Sequence, residues 1–186
     1  LTGTPTNSDV GSHAVVITAT DTSGATATDS FTLVVSNAND APTVSSTAII
    51  TATEDAVYTY TLTGADADVG DTLTMSGTTV PSWLTFTAST GVLTGTPTND
   101  NVGTTGNAVV LTITDAAGES VTDSFTITVA NTNDAPSFSS SPVLTAQEDD
   151  VYTYTAVGTD MDAGDTFTLG SSSVPSWLTF TASTGV

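Results

Sequence analysis

The sequence predicts an all-β protein made of tandem Greek-key β-sandwich modules, about seven strands to a module. Three observations carry that prediction. Apolar and polar residues alternate with a period of two in short runs, turn residues separate the runs, and the whole pattern recurs at a spacing of roughly 93 residues. No window sustains the 3.6-residue period of an amphipathic helix, and the Thr-rich composition with Ser, Gly and Val favours strands and turns.

The runs are clearest between residues 39 and 132. Val57-Tyr58-Thr59-Tyr60-Thr61-Leu62 places Tyr58, Tyr60 and Leu62 on one face. Val109-Val110-Leu111-Thr112-Ile113-Thr114 does the same for Val109, Leu111 and Ile113, and Phe125-Thr126-Ile127-Thr128-Val129 for Phe125, Ile127 and Val129. Asp71, STG at 89–91, TGTP at 94–97 and DAAG at 115–118 read as turns. Many short strands with frequent turns in so short a unit are the pattern of an immunoglobulin-like sandwich. In PSWLTF, Trp83 and Phe86 are read as plugs for the sandwich interior, against an alternative of aromatic stacking on a sugar ring.

The repeats set the domain organisation. NDAP occurs at 39–42 and 133–136, VPSWLTFTASTGV at 80–92 and 174–186, and LTGTPT at 1–6 and 93–98. EDAVYTYTLTGADADVGDTL (54–73) returns as EDDVYTYTAVGTDMDAGDTF (148–167). The chain therefore reads as the C-terminal part of one module (1–38), a complete module (39–132) and the N-terminal part of the next (133–186). About two strands are expected in the first part and about four in the last. A part-sandwich exposes an apolar face and strand edges. The missing strands are accordingly expected in trans, with 133–186 of one chain completed by 1–38 of the next, or else in the continuation of one fibre. Either arrangement puts residue 186 beside a residue 1.

The charge balance narrows the function. Against 20 Asp and Glu there is no Lys or Arg, a net charge of −20. Nucleic acid is excluded as a partner, because phosphate binding needs basic side chains. The self-repulsion calls for an external cation, and hard divalent ions prefer carboxylate oxygens. Without cysteine there are no disulfides or thiolate metal sites, and no apolar run is long enough to insert in a membrane. His13 is the only imidazole, and the corresponding stretch of the complete module (103–107) lacks one, so the sequence is not read as an enzyme.

The carboxylates gather near predicted strand ends: Glu54-Asp55, Asp66-Ala67-Asp68, Asp71, Asp115, Asp123 and the segment Asn131-Thr132-Asn133-Asp134. Asp66 and Asp68, two residues apart in an extended segment, would aim the same way and grip one ion. Asp29 and Asp123 read equally well as ligands or as solvated strand residues.

These residues carry a resemblance. ED at 54–55, DAD at 66–68, PSWLTF with TGVLTGTP from 81 to 97, TITDAAG at 112–118 and NTNDAP at 131–136 together resemble the bacterial, dystroglycan-type cadherin-like repeats, close to the Ig repeats of bacterial surface proteins. The resemblance implies Ca²⁺ at the junctions between modules. At 131–136 it implies Glu54 from the preceding module, Asn131, the Asn133 carbonyl and Asp134 from the linker, and Asp160 and Asp162 from the following module. At 37–42 it implies Asn37, the Asn39 carbonyl and Asp40, with Asp66, Asp68 and Asp115, and a glutamate upstream of residue 1. Asn37 and Asn131 stand where the family has Asp, and Gly95-Thr96-Pro97 replaces an acidic motif. About one or two ions per junction, not three, are therefore implied.

The function expected is a calcium-stiffened spacer module in the stalk of an extracellular adhesin or surface filament, its partners neighbouring modules or copies joined head to tail. The alternative is a carbohydrate- or protein-binding module of a cell-surface or secreted protein, with surface glycans as ligands.

Overall fold

The computed structural model describes residues 1–185. Strands dominate, and among the described residues the only helical pieces are single 3-10 turns at Asn7–Asp9 and Asn99–Asn101. The first two strands, β1 (Gly11–Thr20) and β2 (Thr26–Val35), pair antiparallel along their full length. Asp21 closes their turn by accepting the Ser23 and Ala25 amides.

Between 39 and 132 the chain forms β3 (Thr43–Val44), β4 (Thr51–Thr53), β5 (Tyr58–Thr61), β6 (Gly64–Ala65), β7 (Thr74–Thr79), β8 (Leu84–Thr87), β9 (Val92–Gly95), β10 (Ala108–Thr114), β11 (Ser120–Thr126) and β12 (Thr128–Ala130). β9 lies between β5 and β8, and β10 between β11 and β7. β3 pairs with β6, and β12 pairs with β4 in parallel. There are more segments than the expected strands because some runs are interrupted. β11 and β12 are one run broken at Ile127, whose amide turns to the Asn107 carbonyl as the strand leaves β10 for β4.

The core forms where the two three-stranded layers face each other. Tyr58 and Tyr60 of β5, Leu84 of β8 and Leu93 of β9 meet Val109, Leu111 and Ile113 of β10, with Leu62, Ile127 and Val129 completing the cluster. Eight of these ten are alternating positions of the three runs, Leu84 and Leu93 lie outside those runs, and Phe125 of the third run packs against the cluster while only partly buried; full burial of a Leu, Ile or Val is worth about 1.5–3 kcal/mol. Trp83 and Phe86 pack against the cluster from its margin. Trp83 meets Tyr58 edge-on and donates its indole N–H to Asn107 Oδ1 at 2.9 Å, so its polar tip is satisfied inside the protein.

The TGTP stretch departs from its turn assignment, since Thr94 and Gly95 lie within β9. Gly95 is there for close approach: a Cβ on it would sit 2.0 Å from the carbonyl oxygen of Trp83, the residue just before β8.

Tyr60 ties the layers together through polar contacts. Its hydroxyl donates to Asp123 Oδ2 at 2.6 Å and lies 2.7 Å from Ser46 Oγ. Asp123 is therefore a structural acceptor on β11. Burial, then the Asp123 bond, pushes the Tyr60 phenol up to about 12, and burial does the same to Tyr58. Folded phenols with a raised pKa contribute stability that is complete below pH 10 and lost as pH rises toward 12. Alkaline unfolding followed by circular dichroism should fall in that window. Tyr60→Phe, which strips the donor from Asp123, should cost about 1.5–3 kcal/mol in urea unfolding.

Residues 133–185 form only β13 (Ser137–Phe138) and β14 (Gly158–Thr159), paired antiparallel. Four strands were expected there. The shortfall has a physical cause: the repeats of β4, β5, β7 and β8 lie in this segment, and the repeats of β9, β10 and β12, their hydrogen-bonding partners, do not. Side-chain contacts nevertheless repeat those of the complete unit. Tyr152 donates to the Val143 carbonyl at 2.8 Å as Tyr58 does to Ile49 at 2.7 Å, and Tyr154 meets Ser140 as Tyr60 meets Ser46. The expected proximity of residues 1 and 186 falls on Val186, outside the described residues.

Candidate metal centres at the junctions

Two sets of carboxylates assemble where the repeats meet. The first is built on the segment after β4. Glu54 donates its amide to the Ala130 carbonyl at 2.9 Å, which continues the parallel β4–β12 pairing by one residue. Thr132 then folds over it, giving its amide to Glu54 Oε2 at 3.0 Å and its hydroxyl to the Glu54 carbonyl at 3.0 Å. The result is a glutamate only 2% exposed. Asp55 follows at φ +60, a conformation tolerated by Asp, with its amide on the Pro97 carbonyl.

Asp134 joins the two sides of this junction. Its carboxylate lies with those of Glu54 and Asp55, ligand oxygens of all three within 4.8 Å of one another. Its Oδ2 also accepts from Asn99 Nδ2 at 2.6 Å. Its amide donates to Asp162 Oδ2 at 2.7 Å. Asp162 belongs to a second triad, with Asp160 and Asp165.

The junction at 37–42 repeats the plan. Asp40 donates its amide to Asp68 Oδ2 at 2.8 Å, and its carboxylate accepts from Asn7 Nδ2 at 2.6 Å. Asp66, Asp68 and Asp71 converge as Asp160, Asp162 and Asp165 do. Asn39 Nδ2 donates to Asp115 Oδ2 at 2.9 Å, and Asp115 Oδ1 accepts the Gly118 and Glu119 amides. These bonds, Asn39 first and partly opposed by burial, hold the Asp115 carboxyl below its usual range. Asn37 and Asn131 are exposed on the linkers.

The route to convergence differs from the sequence expectation. Asp66-Ala67-Asp68 is a turn and not extended: Asp66 Oδ1 accepts the Asp68 amide at 2.9 Å, and the Asp68 carbonyl accepts the Asp71 amide. The turn brings in Asp71, which the extended reading left out. Asp165 enters its triad in the same way, and Asp55 joins Glu54. Their signal was in the sequence, because Asp55, Asp71 and their surroundings recur at 149 and 165.

The electrostatics of these sites are incomplete on protein atoms alone. Glu54 Oε1, Asp66 Oδ2, Asp68 Oδ1 and Asp162 Oδ1 are buried and have no hydrogen-bond donor. Glu54, Asp68 and Asp162 are at most 7% exposed, and the chain has no Lys or Arg to pair with them. Buried carboxylate oxygens of this kind cost several kcal/mol unless a positive charge meets them. A hard divalent cation fits the donor set, which is all oxygen and drawn from several segments.

Among known proteins, the family described as "Putative Ig domain" matches residues 1–36 and 41–130. No curated protein matches the chain. Solved structures of protocadherin ectodomains share the fold. The gammaB7 EC3-6 cis-dimer structure aligns with 96% of this chain and 50% of its own at 20% identity and a TM-score of 0.55. The GammaB4 extracellular domain aligns with 95% of this chain and 32% of its own at 20% identity and a TM-score of 0.55. Gamma B2 domains 3-6 give 98% and 52% at 19% identity and a TM-score of 0.55. The chain thus spans half or less of the first two and about half of the third.

Proposed function

The chain belongs to the Putative Ig domain family, a set of cadherin-like, immunoglobulin-like repeat modules, and on that premise we propose that it is a calcium-stiffened spacer of an extracellular repeat protein. The observation that carries the proposal is the set of buried, donorless carboxylate oxygens at the two junctions, in a protein with no basic side chain. Glu54, Asp55, Asp134, Asp160, Asp162 and Asp165 would hold calcium at one junction. Asp40, Asp66, Asp68, Asp71 and Asp115 would hold it at the other, where the Asn39 carbonyl is a further donor. The ion supplies the positive charge that these sites lack.

The chain's own residues convert that charge into stiffness. Asp134 touches the acids of both neighbouring units, by its carboxylate on one side and its amide on the other. With the charge neutralised, the linker is held at both ends. With it absent, like charges push the units apart. The partners are accordingly neighbouring modules and the setting extracellular, where calcium is at millimolar levels. Among the described residues no helix is long and apolar enough to cross a membrane. The sugar-stacking alternative loses its clearest candidate, since the Trp83 indole is engaged by Tyr58 and Asn107.

Calcium titration with thermal melting tests the reading. Extracellular modules bind at about 10⁻⁴–10⁻³ M. Ten to a hundred times that Kd would add about 1.4–2.7 kcal/mol, a rise in Tm on the order of 10 °C. The same Tm in calcium and in EGTA would falsify it.

A further inference from the structure

The 20 acids of this chain are unevenly placed: residues 72–99 contain none, although they supply β7, β8 and β9 of the complete unit. We propose that the free edge of β8 (Leu84–Thr87), in the middle of this uncharged stretch, is a docking site for the same edge of a second copy, the two strands pairing antiparallel about Phe86. The edge is separate from the acid junctions, and the inference stands without calcium.

The other outer strands are guarded. In one layer β5 and β8 flank β9, and in the other β7 and β11 flank β10. β11 carries Asp123, begins just after Glu119 and lies against β3. β5 follows Glu54 and Asp55. Just past its far end, the Thr63 carbonyl takes the Ser45 and Ser46 amides, and Ser46 Oγ lies 2.7 Å from the Tyr60 hydroxyl. β7 is uncharged but bulged: Leu111 faces Gly77 and Val110 faces Thr79, which leaves Thr78 as an extra residue. Charges, bulges and covering segments are what keep a strand edge from pairing with another chain. β8 has none of them. Its register with β9 runs unbroken from Leu84–Gly95 to Thr87–Val92, and among the described residues no strand pairs with its other side.

The backbone of β8 is set to bond outwards. The Leu84 amide turns away from β9, to the Pro81 carbonyl at 3.0 Å. Alternate residues of a strand turn their amides and carbonyls to the same side, so Phe86 offers an N–H and a C=O to the free edge. Two copies meeting there exchange both bonds through Phe86 and its equivalent. Thr85 of each copy then lies opposite Thr87 of the other, on the outer face where both side chains are exposed. On the inner face the two Phe86 rings meet, each only partly buried within its own chain. Thr–Thr and aromatic pairs across strands both stabilise a sheet.

Charge and repetition point to a second copy as the occupant. Two chains of net charge −20 repel each other, and they approach most easily where neither presents a carboxylate. An antiparallel strand pair is its own complement about a two-fold axis, so the contact closes as a dimer. The edge LTFT returns unchanged at 178–181, whereas TMSGTT of β7 returns as TLGSSS at 168–173. Exposed Thr85 and Thr87 thus recur as Thr179 and Thr181, while exposed Ser76 and Thr78 become Gly170 and Ser172.

Disulfide trapping tests the pairing, because the chain has no cysteine of its own. In this register, position 85 of one copy and position 87 of the other form a non-hydrogen-bonded pair, with Cβ atoms about 4.5–5.5 Å apart. Mixed Thr85→Cys and Thr87→Cys chains, mildly oxidised in EGTA, should cross-link at least about tenfold faster than either variant alone, whose thiols sit on a diagonal beyond disulfide reach. A mixture of Thr85→Cys with Thr122→Cys, exposed on β11, is the control and should match the slow rate. Sedimentation in EGTA over a concentration series should show the 18.6 kDa chain passing to a dimer, more readily as sodium chloride screens the repulsion. Thr85→Glu with Thr87→Glu sets like charges across the seam and should weaken dimerisation at least about tenfold. Thr85→Lys with Thr87→Glu sets opposite charges there and should restore it. Both positions are exposed, so the melting of residues 39–132 should be unchanged in either variant.

A monomer at every concentration overturns the pairing and leaves the edge to a strand of a different protein. Mixed cysteine variants that cross-link no faster than each alone overturn it as well, as does a dimer that the two glutamates leave intact. All of these outcomes are read in EGTA, so a failed calcium titration does not touch them, and their failure does not touch the calcium reading.

Discussion

Leu111→Ala should lower the stability of the 39–132 unit by about 2–5 kcal/mol, a loss on the order of 10 °C or more in Tm. Leu111 is fully buried on the central strand of its layer and lies across the core from β5 and β9. Removing its branched end leaves a cavity within the buried cluster, which the strand pairing on both sides prevents from collapsing. The control is Ile17→Ala at the repeated position. Ile17 is 43% exposed, so at concentrations where the chain is monomeric this change should stay within about 0.5 kcal/mol. Urea unfolding of the two variants measures the difference. Equal losses would mean that the hairpin already shares a core.

Gly95→Ala should be comparably damaging, at about 3 kcal/mol or more, for a different reason. Leu84 faces Gly95 across β8 and β9, and a methyl group on Gly95 would lie 2.0 Å from the Trp83 carbonyl oxygen and 3.2 Å from the Leu84 Cα. The obstacle is backbone, so no rotamer change relieves it. β8 has to move away from β9, which loosens Leu84 and Trp83 together. Loss of the Trp83 emission shift at lower urea concentration reads this directly. A variant with wild-type stability would show that the strand spacing is not set by the glycine.

The core was legible from the sequence and parts of the candidate sites were not, for physical reasons. Period-two alternation reports which residues share a face, and that selected Tyr58, Tyr60, Leu62, Val109, Leu111 and Ile113 correctly. Repetition pointed to Glu54, Asp68 and Asp162, all of which are buried. What alternation cannot report is cross-chain pairing. Tyr60 and Asp123 are 63 residues apart in sequence, and nothing local links them. Gly95 looked like a turn residue because the reason for it lies on the neighbouring strand. Asp71 was missed because an extended segment was assumed, whereas Asp66 folds its own side chain back onto the Asp68 amide and makes a turn. Strand loss in 133–185 is the same lesson in reverse. VYTYTLTG becomes VYTYTAVG with its alternation intact, yet a strand needs an edge to bond to, and none lies beside it.

The short parallel pair of β4 and β12 gives the unit a mechanical property. Thr51–Thr53 lies near the entry of the chain and Thr128–Ala130 near its exit, running in the same direction. Tension between the two ends pulls these strands lengthwise past each other, so their hydrogen bonds bear the load together and do not open one at a time like a zip. The Glu54 amide on the Ala130 carbonyl and the Thr132 contacts extend that clamp to the margin of the acid cluster. A pull from the exit side therefore meets first the part of the fold that is braced in shear.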